Sequence, residues 1–191
     1  MFISERKISP LDPDRSLVDR AINGSGEAFS ELYAQLAPAM VGYLRAQGAR
    51  EPNDLCSEVF LGVFKNMNTF VGAPAAFRSW VFSVAHRRLT DERRQTGRRP
   101  QSEDLFGSAD IPGHGSTEQH ASDRIGTRRV EMLCEGLPPD QRDVLLLRLV
   151  CGFTIDQAAT AVGKSAGAAK ALQRRGLQAI AEILDETEVT A

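Results

Sequence analysis

Residues 154–175 read TIDQAATAVGKSAGAAKALQRR, and their spacing defines two helices joined by a turn. Thr154 with Gln157 three residues later is a capping box that opens a short helix, IDQAATAV. Gly163 makes the turn, and Ser165 caps a second helix expected to reach about Leu184. On that second helix Ala169, Leu172, Gly176 and Ile180 share one face, with Gly167, Lys170, Arg174 and Gln178 opposite. From Lys164 to Gln178 there are four basic residues and no acid. A short helix, a glycine turn and a longer helix make a helix-turn-helix. Small residues followed by Lys and Arg let such a helix approach a groove and reach phosphates or guanine edges. A solvated basic face on an ordinary helix has the same periodicity; the capped short helix and glycine turn favour the DNA-reading alternative.

Upstream, LPPDQRDVLLLRL (137–149) supplies a Pro-Pro-Asp start and an apolar helix to Leu149 or Val150, stopped by Gly152. These helices form a domain over 124–186. Before it lies RRPQSEDLFGSADIPGHGSTEQHAS (98–122), in which only Leu105, Phe106 and Ile111 are strongly apolar. So little apolar surface cannot offset the entropy of ordering, which predicts a flexible linker over 98–123. A first domain then spans 15–97, behind a tail of residues 1–14.

That first domain shows helical rather than alternating apolar spacing, so the expected class is all-α. Leu17, Val18, Ala21 and Ile22 make a short helix ended by Asn23-Gly24. Phe29, Leu32, Tyr33 and Leu36 make the next face, with Pro38 marking a break or bend. Asn53 or Asp54 is placed to cap a helix carrying Leu55, Val59, Phe60, Val63 and Phe64. After the loop MNTFVGA, Pro74 opens a helix with Phe77, Trp80, Val81, Val84 and Ala85 at i, i+3, i+4, i+7, i+8. Arg87, Arg88, Arg93 and Arg94 follow, so this helix is expected to have a buried half and a projecting basic half. Trp80 lies on the apolar face and reads as core rather than as a wedge into DNA. His86 reads as a polar surface residue, and Phe70 fits either an anchor or a base pocket.

The net charge of -2 hides a strong partition. Residues 76–100 carry seven Lys or Arg against two acids, while 101–123 carry five acids and no base. A basic helix is thus cancelled by an acidic segment, and near-neutrality does not argue against nucleic acid. With 42% hydrophobic and 25% charged residues, the chain of 191 is of ordinary globular composition. The longest apolar runs, such as VLLLRLV, fall far short of the roughly 20 residues that span a bilayer, and MFISERKISP lacks the apolar core of a signal peptide. A cytoplasmic location is expected. Cys56, Cys134 and Cys151, widely spaced and without nearby histidine, fit neither a disulfide framework nor a metal site. They read as small buried apolar residues. No GxSxG, Walker loop or HExxH is present, so no catalytic residues, metal or cofactors are expected and the chain does not read as an enzyme. An ordinary helix-turn-helix repressor or activator with a helical sensing domain is the remaining alternative, though it leaves Arg87 to Arg94 unexplained.

Two segments together, NDLCSEVFLGVFKNMNTFVGAPAAFRSWVFSVAHRRLTDERR (53–94) and LPPDQRDVLLLRLVCGFTIDQAATAVGKSAGAAKALQRRGL (137–177), resemble the two domains of bacterial extracytoplasmic-function sigma factors, in the same order. The resemblance implies a subunit that binds core RNA polymerase and directs promoter-specific initiation. It implies that Asp54, Ser57, Glu58 and Leu61 dock on polymerase, and that Asn68, Phe70, His86, Arg87, Arg88, Arg93 and Arg94 engage the minus-ten promoter DNA. It places Ser165, Gly167, Ala168, Lys170, Ala171, Arg174 and Arg175 at the minus-thirty-five element, and implies an anti-sigma protein as a further partner. The acidic linker is expected either to mimic nucleic acid in polymerase channels or to act as a solvated spacer. The chain departs from the family pattern at Ser57, often Gln; at His86-Arg87, often Arg-Asn; at Gln157, often Glu; and at Ala169, often Val.

Overall fold

The computed structural model describes residues 12–96, 130 and 132–189. Among them every regular element is helical, and no strand occurs. The expected linker, 98–123, lies outside the described residues.

Local chemistry sets the helix ends of the first domain. Asp14 accepts from the Ser16 amide at 3.0 Å and caps α1 (Arg15–Ile22). Gly24, at φ 91°, reverses the chain, and Ser25 then caps α2 (Gly26–Ala46) by accepting from Ala28 N at 3.2 Å. Pro38 does not break α2, which continues two turns past it. The expected cap of α3 (Pro52–Lys65) at Asn53 or Asp54 is displaced: Glu51 is the cap residue and Pro52 takes the first helical position, where its missing N–H costs nothing. A short 3-10 turn (Met67–Thr69) precedes α4 (Pro74–Thr96). Leu32, Leu36, Met40, Val59, Val63, Phe77 and Val81 form the core between these helices. Tyr33 and Phe64, at helical spacing with that core, are instead 39% and 55% exposed, which corrects the apolar faces drawn from sequence.

The second domain is built from α5 (Pro139–Leu149), α6 (Ile155–Ala161) and α7 (Ala166–Val189), which runs beyond the expected end near Leu184. Both sides of the Thr154 and Gln157 capping box form, at 3.2 and 2.8 Å. Gly152 and Gly163 take φ of 65° and 66°, a region that disfavours residues with a Cβ. Ala169, Leu172 and Ile180 face α5 and α6 and are buried as expected. A Cβ at Gly176 would stand 2.7 Å from Leu145 Cδ1, so this glycine sets the approach of α7 to α5.

The two domains pack on each other, which the sequence did not predict. Helix α4 packs extensively against α6. Arg78, Phe82 and Leu89, off the stripe expected to be buried, are therefore buried too. The Phe82 and Phe153 rings meet edge to face, centroids 4.9 Å apart. Residue 12 belongs to this packing: Asp12 pairs with Arg78 at 3.7 Å and accepts from Gln157 Nε2 at 2.9 Å, so the N-terminal tail is fixed at its inner end.

Candidate nucleic-acid interface

Helix α7 presents one accessible edge of small and basic residues. Ser165 caps it by accepting from Ala168 N at 3.2 Å. Ser165, Gly167, Ala168, Lys170, Arg174 and Arg175 are all exposed, and Ala171 is half-buried between them. With a rise of about 1.5 Å per residue, the stretch from Gly167 to Arg175 is about 12 Å long, the width of a B-DNA major groove. Ala169 points the other way and is fully buried, so the family's valine position is a packing site here. Behind the edge, Lys170 and Arg174 share a shallow groove of about 390 Å³ with Arg148, Ile155, Gln173 and Leu177.

Helix α4 does not have one projecting basic half, and this corrects the expectation. Arg87 and Arg94, seven residues apart, share an exposed face. Arg94 makes a surface pair with Asp91, at 3.7 Å. Arg88 turns toward α3 and pairs with Glu58 at 2.9 Å. Arg93 turns toward the second domain, donating to the Gln47 carbonyl at 2.8 Å and to Gln47 Oε1 at 2.5 Å. Its guanidinium also lies 3.9 Å from the Asp143 carboxylate.

His86 is not a surface histidine. Its Nδ1 is hydrogen-bonded to the Tyr43 hydroxyl at 3.2 Å and stands 3.7 Å from Asp143. Burial holds its pKa below the ordinary 6.5, against a smaller opposite pull from the Asp143 carboxylate. Burial likewise pushes the Tyr43 hydroxyl and the Asp143 carboxyl up, and lowers Arg78. Phe70 packs against Phe77 and Trp80, each with centroids 5.3 Å away, so it anchors the loop. Asn68 beside it is exposed.

On α3, Asp54, Ser57, Glu58 and Leu61 form an exposed stripe, extended by Phe64. Phe64 continues the spacing of this stripe as well as that of the core, so periodicity alone could not assign it. Ser57 bonds to its own helix, donating to the Asn53 carbonyl at 3.0 Å. The three cysteines are buried, and burial raises the Cys56 thiol to about 11. No cluster of metal-ligating side chains occurs among the described residues, and none of their helices is long and apolar enough to cross a membrane.

Two all-α domains, one ending in a partly basic helix and the other carrying a helix-turn-helix, define a DNA-binding transcription protein. Residues 32–99 match the model of sigma-70 region 2 and residues 127–180 that of sigma-70 region 4, together well over half of the chain. Similar proteins include the extracytoplasmic-function sigma factor SigD of Mycobacterium tuberculosis, 27% identical over 85% of this chain and 80% of its own. ShbA of Streptomyces griseus is 26% identical, over 90% and 95%. The fold is shared with CnrH, solved in complex with the cytosolic domain of CnrY, at TM-score 0.67 and 23% identity over 91% of this chain and 97% of that one. RpoE of Bartonella quintana, solved with the anti-sigma factor NepR, gives TM-score 0.65 at 19% identity, over 83% and 98%. The chain belongs to the sigma-70 family of RNA polymerase sigma factors, in its extracytoplasmic-function group. It is a transcription initiation factor that directs polymerase to promoters.

Proposed function

We propose that α7 reads the minus-thirty-five element, that the loop around Asn68 with α4 engages the minus-ten element, and that the exposed stripe on α3 docks on polymerase. The observation that carries this reading is the continuous exposed edge from Ser165 to Arg175, held in place by a buried Ala169, Leu172 and Gly176. On α4 the DNA-facing pair is Arg87 with Arg94. Asn68 and Arg87 stand in water, whereas Phe70, Arg88 and Arg93 contribute through packing or pairing. Opening promoter DNA requires a base to leave the stack, at a cost of a few kcal/mol, which contacts to the single strand must offset. The protein works beside polymerase in the cytoplasm. An anti-sigma protein is a further partner in this reading, supported by the fold shared with RpoE solved with the anti-sigma factor NepR, and covering the α3 stripe or the α7 edge would silence the chain.

Added to core polymerase, the purified protein is expected to give promoter-specific initiation. Arg87→Ala with Arg94→Ala should impair open-complex formation and leave core binding within about twofold. Equal loss of both would contradict the division between α3 and α4, and tight operator binding without polymerase would contradict the reading as a whole.

A further inference from the structure

Asp143 is a carboxylate only 3% exposed, set in the apolar run of α5. A buried carboxylate without donors is strongly unfavourable. The polar groups that meet it come from the first domain: Gln47 Nε2 donates to Oδ1, Arg93 stands 3.9 Å from Oδ1, and His86 stands 3.7 Å from Oδ2. These groups are organised without help from Asp143. Arg93 clamps the Gln47 carbonyl and side-chain oxygen, which aims the Gln47 amide nitrogen outward, and Tyr43 holds the His86 ring. The first domain therefore carries a ready-made anion pocket on the side of α4 that faces the second domain.

We propose that Asp143 occupies a phosphate-binding pocket of the first domain, formed by Gln47, His86 and Arg93, and so locks the two domains together until a DNA backbone phosphate takes its place. The proposal rests on the reading of α4 as the minus-ten helix and deepens it.

Three further observations support a lock. A second polar seam lies on the other side of the Phe82 and Phe153 contact: Arg78 donates to the Cys151 carbonyl and pairs with Asp12, which also binds Gln157. At that seam the Gln157 amide donates to the Asp12 carboxylate, where a carboxylate at 157 would repel it. Finally, promoter elements about 25 base pairs apart are separated by about 85 Å at 3.4 Å per pair. A domain of this size has a radius of gyration near 13 Å, so two packed domains cannot reach both elements at once.

Cys151 reports the lock without any added label, because its thiol is buried at the seam and donates to the Ala39 carbonyl at 3.7 Å. Cys56 and Cys134, inside the two domains, serve as controls for folding. In the polymerase-free protein, iodoacetamide labelling read by peptide mass spectrometry should be at least tenfold faster at Cys151 in Asp143→Asn and in Asp143→Ala, with Cys56 and Cys134 still protected. A fluorescent single-stranded DNA of mixed sequence and about 12 nucleotides, within the usual footprint of such sites, should bind Asp143→Asn about tenfold tighter than the unaltered protein. Adding Arg93→Ala should abolish that gain. Unchanged Cys151 labelling in both variants overturns the lock, and a DNA gain absent or surviving Arg93→Ala overturns the shared pocket. Neither measurement contains polymerase, so absence of promoter-specific initiation by the unaltered protein would separately strike the functional reading.

Discussion

The guanidinium of Arg78 lies over the ring of Phe153, 4.1 Å from its centroid, although the two belong to different domains. Its side chain is 1% exposed, and its hydrogen-bond partner across the seam is the Cys151 carbonyl. Removing a buried aromatic ring of this kind costs about 3–5 kcal/mol, and breaking a buried charged group's pairing costs a similar amount. Phe153→Ala and Arg78→Ala should each lower stability by about that much in urea unfolding. Arg78→Met should recover part of the loss, because it keeps the packing and removes the charge.

Gly176→Ala tests how tightly α7 is set against α5. The added Cβ would meet Leu145 Cδ1 at 2.7 Å, and overpacking in a filled core costs about 1–3 kcal/mol. Leu145→Val in the same chain should return about half of the loss by clearing the space, measured as a urea midpoint.

The pH dependence of stability should carry a contribution from His86. Tyr43, Asp143, Arg93, Asp140 and Lys164 surround it, and burial lowers its pKa from 6.5. Unfolded chains therefore bind the proton more readily than the folded protein as pH falls below 6.5, so the folded state loses stability there and regains it as pH rises to 6.5. Asp143, with a pKa raised from 3.8 by burial, contributes with the opposite slope. Comparing His86→Asn with the unaltered protein isolates the histidine: the difference in urea midpoint should shrink in the variant's favour as pH drops from 7 toward 5. A difference independent of pH would contradict the burial of His86.

Binding of duplex DNA should depend on salt through the α7 edge. Each phosphate neutralised contributes about -0.9 to the slope of log affinity against log salt. Lys170→Ala with Arg174→Ala should therefore flatten that slope by about 1.8, measured by fluorescence anisotropy with the polymerase-bound protein.

The α7 edge was legible in the sequence because its determinants are local. A capping box four residues long, one glycine and one serine cap place it, and Ala169 and Leu172 follow from the helical period of about 3.6 residues. The domain seam was not legible, since it joins Gln47 to Asp143, 96 positions apart, and Arg78 to Cys151, 73 apart. Arg78 and Asp143 have the chemistry of surface residues, and only a partner contributed by distant chain makes their burial tolerable. Of the break or bend expected at Pro38, the break does not occur: its missing N–H is tolerated because residues on both sides of it, Leu36 and Met40 among them, are buried in the core and hold α2 together. Phe64 and Tyr33 satisfy the period of a buried face, and periodicity cannot tell a face turned to the core from one turned to a partner.

The ion pair between Glu58 and Arg88, at 2.9 Å, joins the stripe read as the polymerase dock to the helix read as the DNA contact. One carboxylate cannot serve a cation of polymerase and the guanidinium of Arg88 equally well at the same moment. Whichever partner claims Glu58 changes how freely Arg88 moves, and by reciprocity DNA held by Arg88 changes the affinity for polymerase. The pair is half in water, so the effect is small. Its sign is cooperative in both directions: a partner that claims Glu58 frees Arg88 for DNA, and DNA that claims Arg88 frees Glu58 for that partner.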